Sequence, residues 1–218
     1  MQNRTRSISY EGDGLGVYGE PNPNGVVKSI GKVHIPVIMV EFPDRLFFET
    51  TTAEKVNRML NEEGYQDEKH CKGSVRDYFL SQSDGLFEPS FEVVAKIKAS
   101  NNYSYYGENS ALGAIDIKCS KLVQEAIDSA MACNVDFSRF DDGNGVPLVS
   151  IYYAGPGEHS SYEEGCEDYI WAHFNDRTFN AGATKIRSYF VGNEVLQEYT
   201  MDDAGNIIPK SSKIDGMG

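Results

Sequence analysis

The stretch KVHIPVIMVEF, residues 32–42, decides how the fold of this chain is interpreted. Its apolar side chains are Val33, Ile35, Val37, Ile38, Met39 and Val40. A strand with one face in water alternates polar and apolar residues, whereas a continuous apolar run suits a strand buried on both faces. We therefore predict a central strand here, in a sheet that is covered on both sides.

The sequence on either side of this strand predicts a mixture of helices and further strands. Helices are predicted at residues 51–64 (capped by Thr51 or Thr52), 73–85 (capped by Ser74) and 111–132. Strands are predicted at 86–99, 146–155, 169–174 and 186–199, and loops at 1–30, 101–110 and 155–168. Because helices and strands are interspersed, we expect an α/β (α+β) domain with a mixed sheet covered by helices.

The overall charge argues against a nucleic-acid partner, and the hydropathy argues against a membrane-spanning segment. The formal net charge is −13, so a nucleic-acid backbone would be repelled. No apolar run approaches the roughly 20 residues that span a bilayer, and the polar N-terminus has no signal-peptide core. The chain is then either cytoplasmic or a mature form from which a targeting segment was removed. We favour a secreted or extracytoplasmic protein, and the oligomeric state is left open.

The cysteines do not predict a zinc site. They are Cys71, Cys119, Cys133 and Cys166. None has the C-x-x-C spacing of a zinc site, so they suit either two disulfides or buried thiols.

The histidines assign no catalytic role either. They are His34, His70, His159 and His173. No two of them are four residues apart, which excludes a zinc pair on one helix. We interpret His34 as a core or edge strand residue and His70 as an exposed residue. His159 is interpreted as a loop residue and His173 as a strand residue. A nucleophile elbow and a phosphate-binding loop are also absent, so no catalytic residue is assigned.

The stretch DFSRFDDGNG, residues 136–145, has the composition of a cation-binding turn. Asp136, Asp141, Asp142 and Asn144 bring four oxygen-bearing side chains into a short segment with two glycines. Calcium prefers several oxygen ligands, and glycine permits the tight backbone that gathers them. The same letters are typical of a plain exposed turn, and both interpretations stay open. If calcium binds here, EDTA should lower the melting temperature.

Several segments, taken in order, resemble the catalytic domain of the secreted immune-inhibitor-A-like zinc metallopeptidases, which have a zincin-type fold. They are PVIMVEFPD (36–44), GSVRDYFLSQSDGLFEP (73–89), VDFSRFDDGNG (135–145), VSIYYAGPGEH (149–159), IWAHF (170–174) and IRSYFVGNEV (186–195). The resemblance assigns residues 31–218 to the N-terminal portion of a catalytic domain, and the polar, glycine- and proline-rich residues 1–30 are interpreted as an extended leader or loop. It also implies a protein or peptide substrate.

The resemblance implies zinc chemistry whose ligands are not in this chain. In the family, a segment like SKIDGMG (212–218) is followed by a helix carrying H-E-x-x-H, which holds zinc and activates water. Residues 1–218 contain no H-E-x-x-H. We therefore expect an incomplete C-terminal side, no zinc ligand here and no peptide hydrolysis by the isolated chain. The resemblance also weakens the calcium prediction, because related turns carry another acid where this chain has Val146, Pro147 and Leu148.

Two function classes follow from these observations. The first is part of a zinc endopeptidase, with a sheet edge near IWAHF or IRSYFVGNEV to which an extended substrate adds. The second is a non-catalytic secreted module of the same fold that recognises peptides or surface ligands. Continuation of the gene into H-E-x-x-H would favour the first class, and its absence would favour the second.

Overall fold

The described part of the chain, residues 27–66 and 72–214 of a computed structural model, has four α-helices and eight strands. The helices are α1 (Ala53–Asn61), α2 (Val75–Gln82), α3 (Tyr103–Tyr106) and α4 (Cys119–Ala132). The strands are β1 (Gly31–Glu41), β2 (Phe87–Lys98), β3 (Val149–Pro156), β4 (His173–Asn175), β5 (Phe179–Ala181), β6 (Thr184–Ile186), β7 (Tyr189–Met201) and β8 (Ile207–Ile214). The predicted α+β class is confirmed.

The main sheet is mixed and has the order β2-β1-β3-β7-β4. The first four strands run parallel, whereas β4 is antiparallel to β7. Strand β8 pairs antiparallel with the second half of β7. Val195 pairs with Pro156 of β3 and with Ile214 of β8, so β8 lies on the side of β7 away from β3. The short strands β5 and β6 form a separate hairpin.

Strand β1 is buried on both faces, as its continuous apolar run predicts. Val37 and Met39 point into a core that contains Val56 and Leu60 of α1. The alternate residues of β1 and β3 face the opposite core, which the buried side of α4 covers. Every residue of β3 is buried. Because side chains alternate across a strand, one apolar run supplies both cores and holds helices on the two faces of the sheet.

The predicted helix caps of α1 and α2 are confirmed. The side chain of Thr52 accepts a hydrogen bond from the backbone of Lys55, 3.1 Å away. Ser74 and Asp77 form a reciprocal capping box at the start of α2. Each cap satisfies backbone N–H groups that the first helical turn leaves without a partner.

Three local predictions were wrong or incomplete. Residues 101–110 contain helix α3, because Tyr103 and Tyr106 are buried in the core and fix that turn. Helix α4 begins at Cys119 rather than near residue 111, since the backbone at Asp116 is left-handed with φ of 51°. The predicted strand at 169–174 shortens to β4, and the hairpin β5–β6 and strand β8 were not predicted.

The structure bears on the interpretation of the cysteines, of two histidines and of membrane-spanning segments. Cys119, Cys133 and Cys166 are free thiols. His34 is not a core residue, because its side chain is 43% exposed and pairs with Glu92. His70, Cys71 and residues 1–26 lie outside the described part of the chain. Among the described residues, no helix is long and apolar enough to cross a membrane.

Candidate functional site

The acidic turn, residues 136–145, precedes β3. Its carboxylates accept hydrogen bonds from backbone N–H groups of the same turn. Asp136 caps a short 3₁₀ helix by accepting from the backbone N–H of Ser138 at 2.9 Å. Asp141 accepts from the backbone N–H groups of Gly143 and Gly145, at 2.7 and 2.9 Å. These hydrogen bonds lower the pKa of Asp141 below its ordinary value, with the bond from Gly145 contributing most. The turn therefore keeps a carboxylate at its centre.

The remaining two candidates in the acidic turn are held in a similar way. One oxygen of Asp142 accepts from the backbone of Asn144 at 3.1 Å, and the other accepts from Arg187 at 2.7 Å. An open cavity of about 210 Å³ beside the turn is lined by basic as well as acidic side chains, among them Lys32. Backbone N–H groups within the turn and the basic side chain of Arg187 beside it are partners of its carboxylates among the described residues. Calcium binding at Asp136, Asp141, Asp142 and Asn144 stays a prediction.

No zinc-type centre is assembled from the side chains that the structure describes. Across residues 27–66 and 72–214, no three His, Cys, Asp or Glu side chains are grouped so that they could hold a metal ion. The described residues do not fit a zinc ion, which needs three or four nitrogen, sulfur or carboxylate ligands at close range.

Strand β4 forms one edge of the main sheet, whose other edges are β2 and β8. It pairs with β7 through His173–Val191, Phe174–Phe190 and Asn175–Tyr189. Phe174 is 51% exposed, and Trp171 just before the strand is 44% exposed. An edge strand presents unpaired backbone groups on its outer side, and adjacent apolar side chains make such an edge suitable for an extended peptide.

His173 anchors this edge strand through both of its ring nitrogens. Nδ1 lies 2.7 Å from the backbone oxygen of Trp171, which can only accept, so Nδ1 carries the hydrogen. Nε2 then accepts from the hydroxyl of Tyr189 at 2.8 Å. Burial lowers the pKa of His173, so the neutral ring is favoured. Both nitrogens are occupied by structural hydrogen bonds, which supports the strand-residue interpretation.

Asp116 is the most unusual carboxyl group near β4. Its side chain is only 4% exposed, and Oδ2 accepts from the backbone N–H of Trp171 at 3.1 Å. Oδ1 is buried without a hydrogen-bond partner among the described residues. Burial is the largest cause that raises the pKa of Asp116 to about 7, and the charge of Glu158 raises it further. Sequence reasoning missed this group because residue 116 was assigned to a helix.

The raised pKa makes stability depend on pH in a defined direction. Between the ordinary value of 3.8 and about 7, folded Asp116 keeps a proton that the unfolded chain releases. Stability should therefore fall as pH rises through this window, by up to about 1.4 kcal/mol per pH unit. Urea unfolding in EDTA of the parent chain and of Asp116→Asn, at several pH values, measures this contribution. Both proteins contain His173, so the titration of His173 cancels when their free energies of unfolding are subtracted. A constant difference from pH 4 to 7 would contradict the prediction.

The comparisons with known proteins identify the family of this chain. Residues 24–207 match the catalytic domain of the immune inhibitor A peptidase M6 family. The chain belongs to this family. The immune inhibitor A resemblance, drawn from the ordered segments between residues 36 and 195, is thereby confirmed.

Two relatives are known metalloproteases. They are the pre-pro-metalloprotease PrtV of two strains of Vibrio cholerae serotype O1, each 27% identical over 176 residues. The aligned part is 66% of this chain and 19% of each relative. The chain thus spans about a fifth of the length of the relatives that it matches. Membership in a metallopeptidase family is established, and the activity of the whole protein is a separate question.

Proposed function

We propose that this chain is the N-terminal portion of the catalytic domain of a secreted zinc-dependent endopeptidase that cleaves peptide bonds in proteins. The single observation that carries the proposal is the family match over residues 24–207. In this proposal residues 31–218 belong to the catalytic domain and residues 1–30 form a leader. Secretion is supported by the relatives, whose name marks them as pre-pro-metalloproteases.

Zinc would supply a Lewis acid and an activated water, and its ligands would lie outside these residues. The sequence contains no H-E-x-x-H, and the described residues do not fit a zinc ion. The role of this chain in the reaction is therefore to build the sheet and to bind the substrate.

We assign substrate binding to the outer edge of β4. A peptide in extended conformation would add to this edge by backbone hydrogen bonds, with Phe174 and Trp171 contacting its side chains. The anchor of His173 to Tyr189 and Trp171 holds the edge at a fixed position relative to β7. A rigid edge lowers the entropic cost of binding an extended chain.

The proposal predicts that zinc binding and casein hydrolysis differ between residues 1–218 and a longer product of the same gene. Residues 1–218 alone should bind no stoichiometric zinc and should not hydrolyse casein. A longer product of the same gene that includes H-E-x-x-H should do both. Metal analysis by mass spectrometry and a casein assay measure these outcomes, and a Glu→Gln change in that motif is the control for activity.

Two outcomes would contradict the proposal. Zinc-dependent hydrolysis by residues 1–218 would place the ligands inside this chain. A gene that continues without both histidines would favour the alternative, a non-catalytic module that binds peptides or surface ligands.

A further inference from the structure

We propose that Asp116 and Glu158 together bind a hard cation of the calcium class, at a site distinct from the acidic turn. The pair lies where the segment before α4 meets the loop after β3. This inference does not rest on the proposed peptidase function, because it concerns a cation that stabilises this part of the fold.

Two buried carboxylate oxygens carry the inference. Oδ1 of Asp116 and Oε2 of Glu158 are both shielded from solvent without a hydrogen-bond partner in the described part of the chain. The side chain of Asp116 is 96% buried, since only 4% of it is exposed. A buried carboxylate oxygen without a donor is costly, and a bound cation is one of the few groups that offset that cost.

Asn109 brings the two acids to one place. Its Oδ1 accepts from the backbone N–H of Asp116 at 3.0 Å, and its side chain also hydrogen-bonds Glu158. The peptide between Ile170 and Trp171 connects them from the other side. The backbone N–H of Glu158 donates to the oxygen of Ile170 at 3.2 Å, and that of Trp171 donates to Asp116.

The available donors select the kind of cation. His173 lies 3.5 Å from Asp116, but its two nitrogens are engaged with Trp171 and Tyr189. Cys119 is buried, and burial raises the pKa of its thiol, so no thiolate is offered. Neither His173 nor Cys119 is therefore available as a ligand, and the two carboxylates offer oxygen, which calcium prefers. Two carboxylates leave the other coordination positions to carbonyl oxygens and water.

The surrounding charge favours a cation. Burial is the largest cause that raises the pKa of Glu158, and a hydrogen bond with Asn109 lowers it. Asp168 and Glu167 lie close enough for their negative charges to raise it further. The nearest basic group on the segment before α4, Lys118, is paired with Glu108. Glu158 thus has further acidic neighbours, whereas in the acidic turn Arg187 pairs with Asp142 and Lys32 lines the adjoining cavity.

The single tryptophan provides a local reporter for the test. Trp171 donates its backbone N–H to Asp116, so terbium bound at the pair should be sensitised by selective tryptophan excitation. The acidic turn precedes β3 and Glu158 follows it, so this eight-residue strand, roughly 25 Å long, separates them. We expect terbium luminescence that calcium displaces. We also expect a rise in Tm of about 5 °C when calcium is roughly a hundredfold above its Kd.

Matched variants distinguish this site from the acidic turn. Asp116→Asn and Glu158→Gln keep the side-chain shape and should each reduce the luminescence and the calcium-induced Tm shift at least fivefold. Asp141→Asn should change neither, and circular dichroism checks that each variant is folded. Luminescence that is absent in the parent chain, or that Asp141→Asn removes while Asp116→Asn leaves it, would overturn the proposal. The first result would mean that Asp116 takes a proton instead.

Discussion

Replacing Gly107 by alanine is expected to lower the free energy of unfolding by about 3 kcal/mol or more. A Cβ atom at this position would lie 2.4 Å from the backbone oxygen of Asp168 and 2.4 Å from the carbonyl carbon of Tyr169. The backbone of Gly107 has a φ of −88°, which any residue adopts, so the effect is purely steric. No rotamer change relieves a clash with main-chain atoms, so the backbone of residues 168–170 must shift.

That shift would break a buried tyrosine network. The backbone N–H of Ile170 donates to the hydroxyl of Tyr103 at 3.2 Å, and the hydroxyl of Tyr153 donates to the oxygen of Ile170 at 2.7 Å. Both hydrogen bonds hold the segment that leads into β4. Leaving such buried groups unpaired costs about 1–3 kcal/mol each, which adds to the clash.

Urea unfolding, followed by circular dichroism and tryptophan fluorescence, measures the effect of Gly107→Ala. Gly113→Ala is the matched control, because no atom lies within 4 Å of its added Cβ and only its φ of +86° opposes the change. This left-handed conformation should cost about 1–2 kcal/mol. If Gly107→Ala is no less stable than Gly113→Ala, the steric argument is wrong.

The parts of the fold that were predictable from sequence are those with local signals. The apolar run from Val33 to Val40 predicted β1, and Thr52 and Ser74 predicted the starts of α1 and α2. Each of these signals resides within a few neighbouring residues. Periodicity and capping chemistry therefore identified the elements without any knowledge of tertiary contacts.

The candidate site was harder to predict because its contacts are distant in sequence. Asp116 contacts the backbone of Trp171, 55 residues away, and nothing around Asp116 indicates that its side chain will be buried. Tyr103 and Tyr106 occupy a polar stretch, yet both are buried because Phe42 and α4 pack around them. The composition of the acidic turn correctly indicated a turn, but four oxygens in sequence did not reveal their hydrogen-bond partners.

Replacing Glu194 by alanine should have the second large effect, a loss of about 3 kcal/mol in the free energy of unfolding. Glu194 is 1% exposed and lies on β7. Its carboxylate accepts from the backbone N–H of Phe48 at 2.9 Å and from that of Gly155 at 3.2 Å. It thus connects β7 to the loop after β1 and to the end of β3.

The magnitude follows from what remains after truncation. Alanine leaves the N–H of Gly155 buried without an acceptor and creates a cavity, and both are destabilising. Glu194→Gln should cost less, because it keeps the volume and one carbonyl oxygen but turns an amide donor toward one of the two N–H groups. Thermal and urea unfolding of both variants, with the exposed Glu49→Ala as control, measure the difference. Equal stability of Glu194→Ala and Glu49→Ala would show that the two backbone groups find other acceptors and that this carboxylate does not hold the three segments together.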